Sequence, residues 1–291
     1  MANLNSKKKF QDEQEKRFLT YFGIEYPYVP PKHKWSKDIV QGKILLSADW
    51  HEPYMSDLIR KEMLTHKDAE THIVAGDIGD YYSKSRFRKT KHVTFKEEVQ
   101  SVFHALEYLS THWKTVKVML GNHDNRPEKI MLGKVAETGE IDLLVLTEMN
   151  LLKRLASYFD NIEVVGTSIN GDIELTHIYQ FGDAIFTHGE LSMKQDSAIL
   201  ERISTYLSQW RTRLKLKPYR AIFQAHNHRA TKTIKSDELQ MLIPTASEGE
   251  SIGFEYIYGT RMIGTPPQQG YTVLYQKNGI TEFNKTNYYI V

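Results

Sequence analysis

Two hydrophobic patterns alternate along the first half of the chain and predict alternating strands and helices. Short apolar runs at 44–46, 72–75 and 116–120 are typical of strands buried on both faces. Residues 55–66 between them favour a helix. Residues 94–113 also favour one, because apolar side chains recur there with helical spacing at Val99, Val102, Phe103, Leu106 and Leu109. This alternation predicts parallel pairing of the strands.

The second half is dominated by short strand-like runs. They are predicted at Ile162–Val165, Leu175–Gln180, Ala184–Phe186, Ala221–Gln224, Thr231–Ile234, Met241–Ile243, Tyr271–Tyr275 and Ile280–Phe283. One helix over 197–214 interrupts them, and 127–159 is predicted to be mostly helical. Turns at 181–183 and 277–279 indicate antiparallel hairpins. We therefore predict an α/β domain of two sheets packed face to face, with helices outside.

The beginning of the chain differs from the rest. Residues 7–21 predict a polar, charged helix, and the Pro-rich stretch 26–31 ends any regular element. We interpret 1–40 as an arm and linker laid against the main domain or a partner, and 41–291 as one domain with a β-rich C-terminal portion.

Composition removes several function classes. The chain has 291 residues, a formal net charge of +2, twelve histidines and no cysteine. Disulfides, thiolate metal sites and a cysteine nucleophile are therefore excluded. No secretory signal is present, and no run approaches the ~20 apolar residues of a membrane span. These features predict a cytoplasmic protein without a membrane partner, and leave the oligomeric state open.

Five polar motifs follow the apolar runs. They are Asp49-Trp50-His51, Gly76-Asp77-Ile78-Gly79-Asp80, Gly121-Asn122-His123-Asp124, His188-Gly189-Glu190 and His226-Asn227-His228. Any one of them alone would be read as a turn or a core histidine. Because ligands of open α/β sheets bind beyond the carboxyl ends of the strands, we expect Asp49, Asp77 and Asn122 to meet at one edge. The second half then brings its histidines to the same place.

Carboxylates and imidazoles together favour Mn, Fe, Zn or Ni over Ca. Asp77 is the candidate for a carboxylate that bridges two ions. Two divalent ions carry four positive charges, of which Asp49 and Asp77 neutralise two. The remaining charge can hold a hydroxide and an anionic phosphate, so the motifs predict two-metal hydrolysis of a phosphate ester.

The ordered set D-x-H, G-D-x-x-D, G-N-H-D, H-G and x-H-N-H resembles the calcineurin-like metallophosphoesterase superfamily. The resemblance covers roughly residues 43–228. The one departure is Ala225, which stands where the last motif usually has glycine. The resemblance implies a four-layer α/β/β/α sandwich, in agreement with the two-sheet prediction.

The resemblance also implies roles for individual residues. One ion would be held by Asp49, His51, Asp77 and His228, and the other by Asp77, Asn122, His188 and His226. Manganese is our first choice, with iron, zinc, nickel or cobalt as alternatives. His123 would stabilise the transition state or protonate the leaving oxygen, with Asp80 or Asp124 orienting its ring. A metal-bound hydroxide would attack phosphorus in line.

The substrate is constrained less tightly. Serine/threonine protein phosphatases of this superfamily carry arginine after the second aspartate of G-D-x-x-D and before G-N-H-E, where this chain has Tyr81 and Leu120. G-N-H-D is instead similar to the DNA-repair exonuclease branch and to many phosphodiesterases. We predict a phosphodiesterase or nuclease acting on a nucleotide or nucleic acid. A phosphomonoesterase (nucleotide or protein phosphatase) is the alternative, followed by a catalytically silent metal-binding scaffold and a pure nucleic-acid-binding module.

A basic stretch after Asp80 has two interpretations. Its Arg86, Arg88 and Lys89 lie among aromatic residues and could clamp the phosphates of the substrate. The same residues could equally form a solvated loop.

Overall fold

A computed structural model describes residues 2–84, 93–129, 150–169, 173–175, 177–189, 195–248 and 267–291. The helices are α1 (Ala2–Tyr21), α2 (Asp57–Met63), α3 (Phe95–His112), α4 (Leu151–Ala156) and α5 (Asp196–Trp210). The strands are β1 (Val40–Ser47), β2 (Ala69–Val74), β3 (Val116–Met119), β4 (Ile162–Val165), β5 (Thr167–Ile169), β6 (Ile173–Leu175), β7 (Ile178–Phe181), β8 (Ala184–His188), β9 (Ala221–Ala225), β10 (Thr231–Lys235), β11 (Glu238–Leu242), β12 (Gly270–Lys277), β13 (Ile280–Thr281) and β14 (Asn287–Ile290).

The first sheet contains the alternating part of the chain. Strands β1, β2, β3 and β4 lie side by side and pair in parallel. The predicted parallel order is thus confirmed, and β4, assigned by its sequence to the strand-rich half, extends it. Strand β12 pairs antiparallel with β1 on the other side, and β13 and β14 both pair with β12. The end of the chain therefore returns to the first sheet.

The second sheet has the order β10-β11-β9-β8-β7. The predicted hairpin at 181–183 joins β7 to β8, and the one at 277–279 joins β12 to β13 in the first sheet. The prediction of one strand over 175–180 is wrong, because β6 ends at Leu175 and pairs with β5 while β7 begins at Ile178 in the second sheet. The predicted helix over 127–159 is described only at 126–129 and in α4, and residues 130–149 lie outside the described part.

Three clusters of buried side chains separate four layers. One face of the first sheet packs against α1, α2, α3 and α4, including all five apolar residues of the α3 stripe. Its other face packs on the second sheet through side chains such as Ile73, Met119, Phe186 and Phe223. Helix α5 covers the outer face of the second sheet. The α/β/β/α sandwich is therefore confirmed, because each sheet buries apolar side chains on both faces.

The N-terminal arm packs against the first layer of helices. Leu19, Phe22 and Ile24 are buried in the same cluster as α3. Further along the arm, the Tyr28 hydroxyl donates to Glu107 Oε1 at 2.8 Å. Within the described residues, the arm therefore lies on its own domain. Among those residues, no helix has both the length and the apolar character needed to cross a membrane.

Candidate metal centre

The loops after five strands converge at one edge of the sandwich. Asp49 and His51 follow β1, Asp77 follows β2, Asn122 follows β3, His188 ends β8, and His226 and His228 follow β9. Backbone hydrogen bonds from Asp49 N to Gly76 O and from His51 N to Asp77 O, both 3.0 Å long, hold the first two loops side by side. His226 N donates to Asp49 Oδ2 at 3.0 Å and ties the second sheet to the first. The edge is thus built by both sheets.

The side chains named by the resemblance form two groups, and a third close set, His51, Asp80 and His123, lies beside them. In the first ligand group, Asp49 Oδ1 lies 3.5 Å from His228 Nε2 and 3.9 Å from His51 Nε2. The two imidazole nitrogens, His51 Nε2 and His228 Nε2, are 3.3 Å apart. Donor atoms so close around one point are spaced as ligands of a single ion are.

The second ligand group is centred on His188. Its Nε2 lies 3.1 Å from Asp77 Oδ2 and 3.1 Å from Asn122 Oδ1. Donor atoms of Asp77, His188 and His226 all lie within 4.8 Å of one another. The structure therefore brings all seven side chains named by the family resemblance to one edge, with Asp77 in the group of His188, and the role of Asp77 as a bridge between two ions stays a prediction.

The backbone is unusual at five of these seven positions. The φ angles are +53° at Asp49, +49° at His51, +53° at Asp77, +83° at His226 and +54° at His228. The left-handed region costs a non-glycine residue about 1–3 kcal/mol, and it persists where surrounding contacts enforce it. Strain concentrated in this way at converging polar side chains is typical of a functional site.

Glycine at position 121 permits the close approach of two loops. A Cβ atom there would lie 2.0 Å from Asp77 Oδ1 and 2.5 Å from Asp77 N. Such distances are far inside van der Waals contact, so any other residue would displace the candidate bridging carboxylate. The sequence G-N-H-D thus serves packing as well as chemistry.

Several observations show that these residues fit divalent ions. Asp49 Oδ1 is buried and accepts no hydrogen bond from the described residues, although it faces three imidazole nitrogens between 3.5 and 4.0 Å away. A carboxylate oxygen buried in this way is costly unless a cation compensates it. His188 Nδ1 donates to Ala75 O at 2.8 Å, which directs Nε2 toward Asp77. Orientation of a ligating imidazole by its second nitrogen is characteristic of metal sites.

His123 lies beside the two ligand groups. Its Nδ1 is 2.7 Å from Asp80 Oδ1, and its Nε2 is 3.9 Å from Asp77 Oδ2. Of the two aspartates considered for orienting the ring, Asp80 makes the contact. Asp124 instead accepts hydrogen bonds from the backbone amides of Gly79 at 3.0 Å and Gly121 at 2.9 Å.

Arg126 was not identified from the sequence. Its Nη2 lies 2.9 Å from His123 Nε2, and its Nη1 donates to Asp80 O at 2.8 Å. The only available signal was its spacing, three residues after His123 where a helical turn over 126–129 begins. Residues three apart on a turn can meet on one face.

The two aspartates of the ligand groups are acidic in spite of their burial. Burial raises the pKa of Asp49, but His228, His188 and His51 outweigh it and lower that pKa to about 2. Burial likewise opposes ionisation of Asp77, yet His188 and His123 hold its pKa well below the ordinary value. Burial also raises the pKa of Asp80, and hydrogen bonds from His123 and His51 bring it below the ordinary value.

Other groups of the site shift in both directions. Burial lowers the pKa of His188, but Asp77 and Asp49 raise it to about 10. Burial and the neighbouring His188 charge lower the pKa of His226 to about 4. Burial and the Asp77 charge raise the pKa of Asp124 to about 7. Perturbation of so many groups at one edge of the sandwich is a mark of functional sites.

The remaining predicted positions fall elsewhere. Arg86, Arg88 and Lys89 lie outside the described residues, so their proposed clamp stays a prediction. Tyr81 and Leu120, which stand where protein phosphatases have arginine, are both buried in the core between the first sheet and its helices.

No protein-family model matches the chain, and no curated protein does. Solved structures with a similar fold include Vps29 from Entamoeba histolytica complexed with zinc, which is 11% identical with a TM-score of 0.40, over 86% of this chain and 98% of that one. An archaeal phosphodiesterase is 14% identical with a TM-score of 0.37, over 86% and 99% of the two chains. A predicted phosphoesterase from Streptococcus pneumoniae is 10% identical with a TM-score of 0.33, over 86% and 98%.

These similarities are low, and the assignment of the fold rests on the layers, the strand order and the five motifs. The chain has the fold of the calcineurin-like metallophosphoesterases.

Proposed function

We propose that this protein is a metal-dependent phosphodiesterase that uses two divalent ions to hydrolyse a phosphodiester of a nucleotide or nucleic acid. The observation that carries the proposal is the convergence of the two ligand groups around Asp49 and Asp77. Bound ions would supply the Lewis acidity and the attacking water that hydrolysis of a phosphate ester needs. The negative charges of Asp49 and Asp77 offset part of their charge.

The residues of the chain hold and orient this chemistry. Asp77 Oδ2 lies 3.1 Å from His188 Nε2 and 3.9 Å from His123 Nε2, and we assign Asp77 the bridging role that the family resemblance implies. Asp80 fixes the His123 ring through Nδ1, which leaves its Nε2 on the side of Asp77 and Arg126. Asp124 fastens the loops after β2 and β3 to each other through two backbone amides.

Preference for a diester is supported by Tyr81 and Leu120. At these positions protein phosphatases carry arginines that bind the phosphate, whereas here the side chains are 0% and 2% exposed within an apolar core. A phosphodiester bears one negative charge and a monoester about two at neutral pH, so the replacement of these two arginines by Tyr81 and Leu120 favours the diester.

The test is turnover of bis(4-nitrophenyl) phosphate beside 4-nitrophenyl phosphate, on protein stripped of metal and reloaded with Mn. We expect cleavage of the diester, lost in Asp77→Asn and strongly reduced in His123→Ala. Preference for the monoester would indicate a phosphatase. If the protein binds Mn but cleaves neither ester and also fails to cleave DNA, RNA and cyclic nucleotides, it is a metal-binding scaffold.

A further inference from the structure

Arg126 is the one feature of the site that the proposed function has not used. Its side chain is 16% exposed, so it borders the open side of the centre. It joins His123 Nε2 at 2.9 Å and the Asp80 carbonyl at 2.8 Å. His123 Nε2 in turn lies 3.9 Å from Asp77 Oδ2, so the guanidinium is one hydrogen bond away from the nitrogen that faces Asp77.

The contacts of His123 determine whether His123 or Arg126 is the hydrogen-bond donor at the site. A guanidinium has only donors and stays protonated in proteins, so His123 Nε2 must accept from Arg126. His123 Nδ1 then carries the hydrogen and donates it to Asp80 Oδ1 at 2.7 Å. His123 is therefore held as the tautomer with its hydrogen on Nδ1 and a lone pair on Nε2. The hydrogen bond between Nε2 and the guanidinium is donated by Arg126.

We propose that Arg126 is a phosphate-binding residue of this centre, and that its guanidinium donates directly to the phosphoryl oxygens of the substrate. The proposal rests on the proposed function, since it concerns the substrate of the same site. It moves the role of hydrogen donor toward the phosphoryl group from His123, where the family resemblance put it, to Arg126.

The chemistry of the guanidinium suits this role. Its planar fork matches two phosphate oxygens, and hydrogen bonds to an anion are stronger than bonds to a neutral ring nitrogen. A phosphate oxygen therefore competes successfully for the hydrogen that Arg126 gives to His123. The bond to Asp80 O anchors the other side of the fork, so the side chain need not be reordered on binding.

The experiment is calorimetric titration of the Mn-loaded protein with inorganic phosphate, the product group that every phosphoester substrate shares. Arg126→Gln removes the charge, and Arg126→Lys keeps it without the fork. Lys129→Gln is the matched control, because Lys129 lies one turn further along the same helical segment and is exposed. Metal content of each variant is measured in parallel, so that a loss of phosphate binding is not mistaken for a loss of the ions.

We expect Arg126→Gln to weaken phosphate binding about 10- to 100-fold, as loss of a hydrogen bond to a charged group does. Arg126→Lys should recover part of the loss, and Lys129→Gln should bind like the wild type. KM for the diester should rise in Arg126→Gln with Mn content unchanged.

Phosphate binding of wild-type strength in Arg126→Gln would overturn the proposal, as would a wild-type protein that does not bind phosphate at all. The result is separable from the proposed function. A loss of phosphate binding in Arg126→Gln, combined with a wild type that cleaves no ester, would support the residue and overturn the phosphodiesterase. A wild type that cleaves the diester, combined with wild-type phosphate binding in Arg126→Gln, would support the phosphodiesterase and overturn the role of Arg126.

Discussion

The two sheets contribute different chemistry to the same edge. The first sheet supplies both carboxylates of the ligand groups, the amide of Asn122 and one imidazole, that of His51. The second sheet supplies imidazoles only, from His188, His226 and His228. The anionic part of the centre and most of its neutral ligands thus belong to different layers, and only the packing of the sheets brings them together.

The difference extends to the backbone. Where the first sheet reaches the site, its edge (hereafter the first edge) has no room for a Cβ at Gly121, because that atom would lie 2.0 Å from Asp77 Oδ1. At the second edge, a Cβ on Gly189 would meet its nearest described atom, Gln224 Nε2, at 3.5 Å, an ordinary contact. Position 121 therefore has no room for a methyl group, whereas position 189 has room for one among the described residues.

The strongest way to break this comparison is Asp77→Asn. Because we propose that Asp77 is a ligand of both ions, we expect loss of both ions and a fall in diester turnover of about 10⁴-fold or more, as for residues that act as a unit. His228→Asn is the matched change on the second sheet. It touches only the first ligand group, so elemental analysis should find one Mn per chain. Equal metal loss in the two variants would show that Asp77 is no bridge.

Gly121→Ala against Gly189→Ala sharpens the contrast between the two edges. The added methyl at 121 collides with Asp77, so we expect loss of Mn binding and of turnover. The same methyl at 189 makes an ordinary contact with Gln224 and should leave Mn binding and turnover within about twofold of the wild type. Unchanged Mn content in Gly121→Ala would mean that the first edge is not tightly packed.

His123→Ala separates ligands from non-ligands on the first sheet. His123 contacts Asp80 and Arg126 and belongs to neither ligand group, so Mn content should stay at the wild-type level. The turnover number for the diester should fall about 10²-fold, the cost of a small misplacement, because His123 orients the Arg126 guanidinium. Loss of Mn together with turnover would make His123 a ligand.

A smaller effect, on the pH dependence of stability, is expected from Glu98 of α3. Glu98 accepts hydrogen bonds from the amide of Ser83, at 3.1 Å, and from its hydroxyl. Burial raises the pKa of Glu98 to about 7, above the unfolded value of about 4.5. The folded state therefore holds a proton that the unfolded state has lost, so this contribution to stability is complete below pH 4.5 and is lost as the pH rises through 7.

In the wild type, the free energy of unfolding should fall by about 2–3 kcal/mol between pH 5 and pH 8 because of Glu98. Glu98→Gln should abolish this fall. Urea unfolding of the metal-free protein at pH 5 and pH 8 measures it. Glu97→Gln is the control: hydrogen bonds from Thr94 lower the pKa of Glu97, so its effect lies at lower pH and the slope between pH 5 and 8 should remain. An unchanged slope in Glu98→Gln would contradict the assignment.

Much of the fold was predictable because buried strands and amphipathic helices leave strong local patterns. The runs at β1, β2, β3, β8 and β9 located the ends from which the ligands project. The return of β12 to pair with β1 carries no local pattern, since it depends on contacts more than 200 residues apart in the sequence. The split between β6 and β7 was missed because Leu175–Gln180 is one continuous strand-like run in the sequence.

In the candidate site, too, the residues with a local sequence pattern were predicted and those that depend on tertiary contacts were not. Its metal ligands were found because the five motifs recur at strand ends in a known order. Arg126 was missed because a lone arginine has no motif, and its partnership with His123 depends on the orientation of one helical turn. The sequence could not choose between Asp80 and Asp124, since both lie close to His123 and only the loop geometry separates them.

The central claim is that the two sheets hold a pair of ions joined by Asp77. Anomalous diffraction from crystals of the Mn-loaded protein tests it most directly. We predict two Mn peaks, one among Asp49, His51 and His228 and one among Asn122, His188 and His226, with Asp77 in contact with both. A single peak, or a peak among His51, Asp80 and His123 in place of either, would contradict the account.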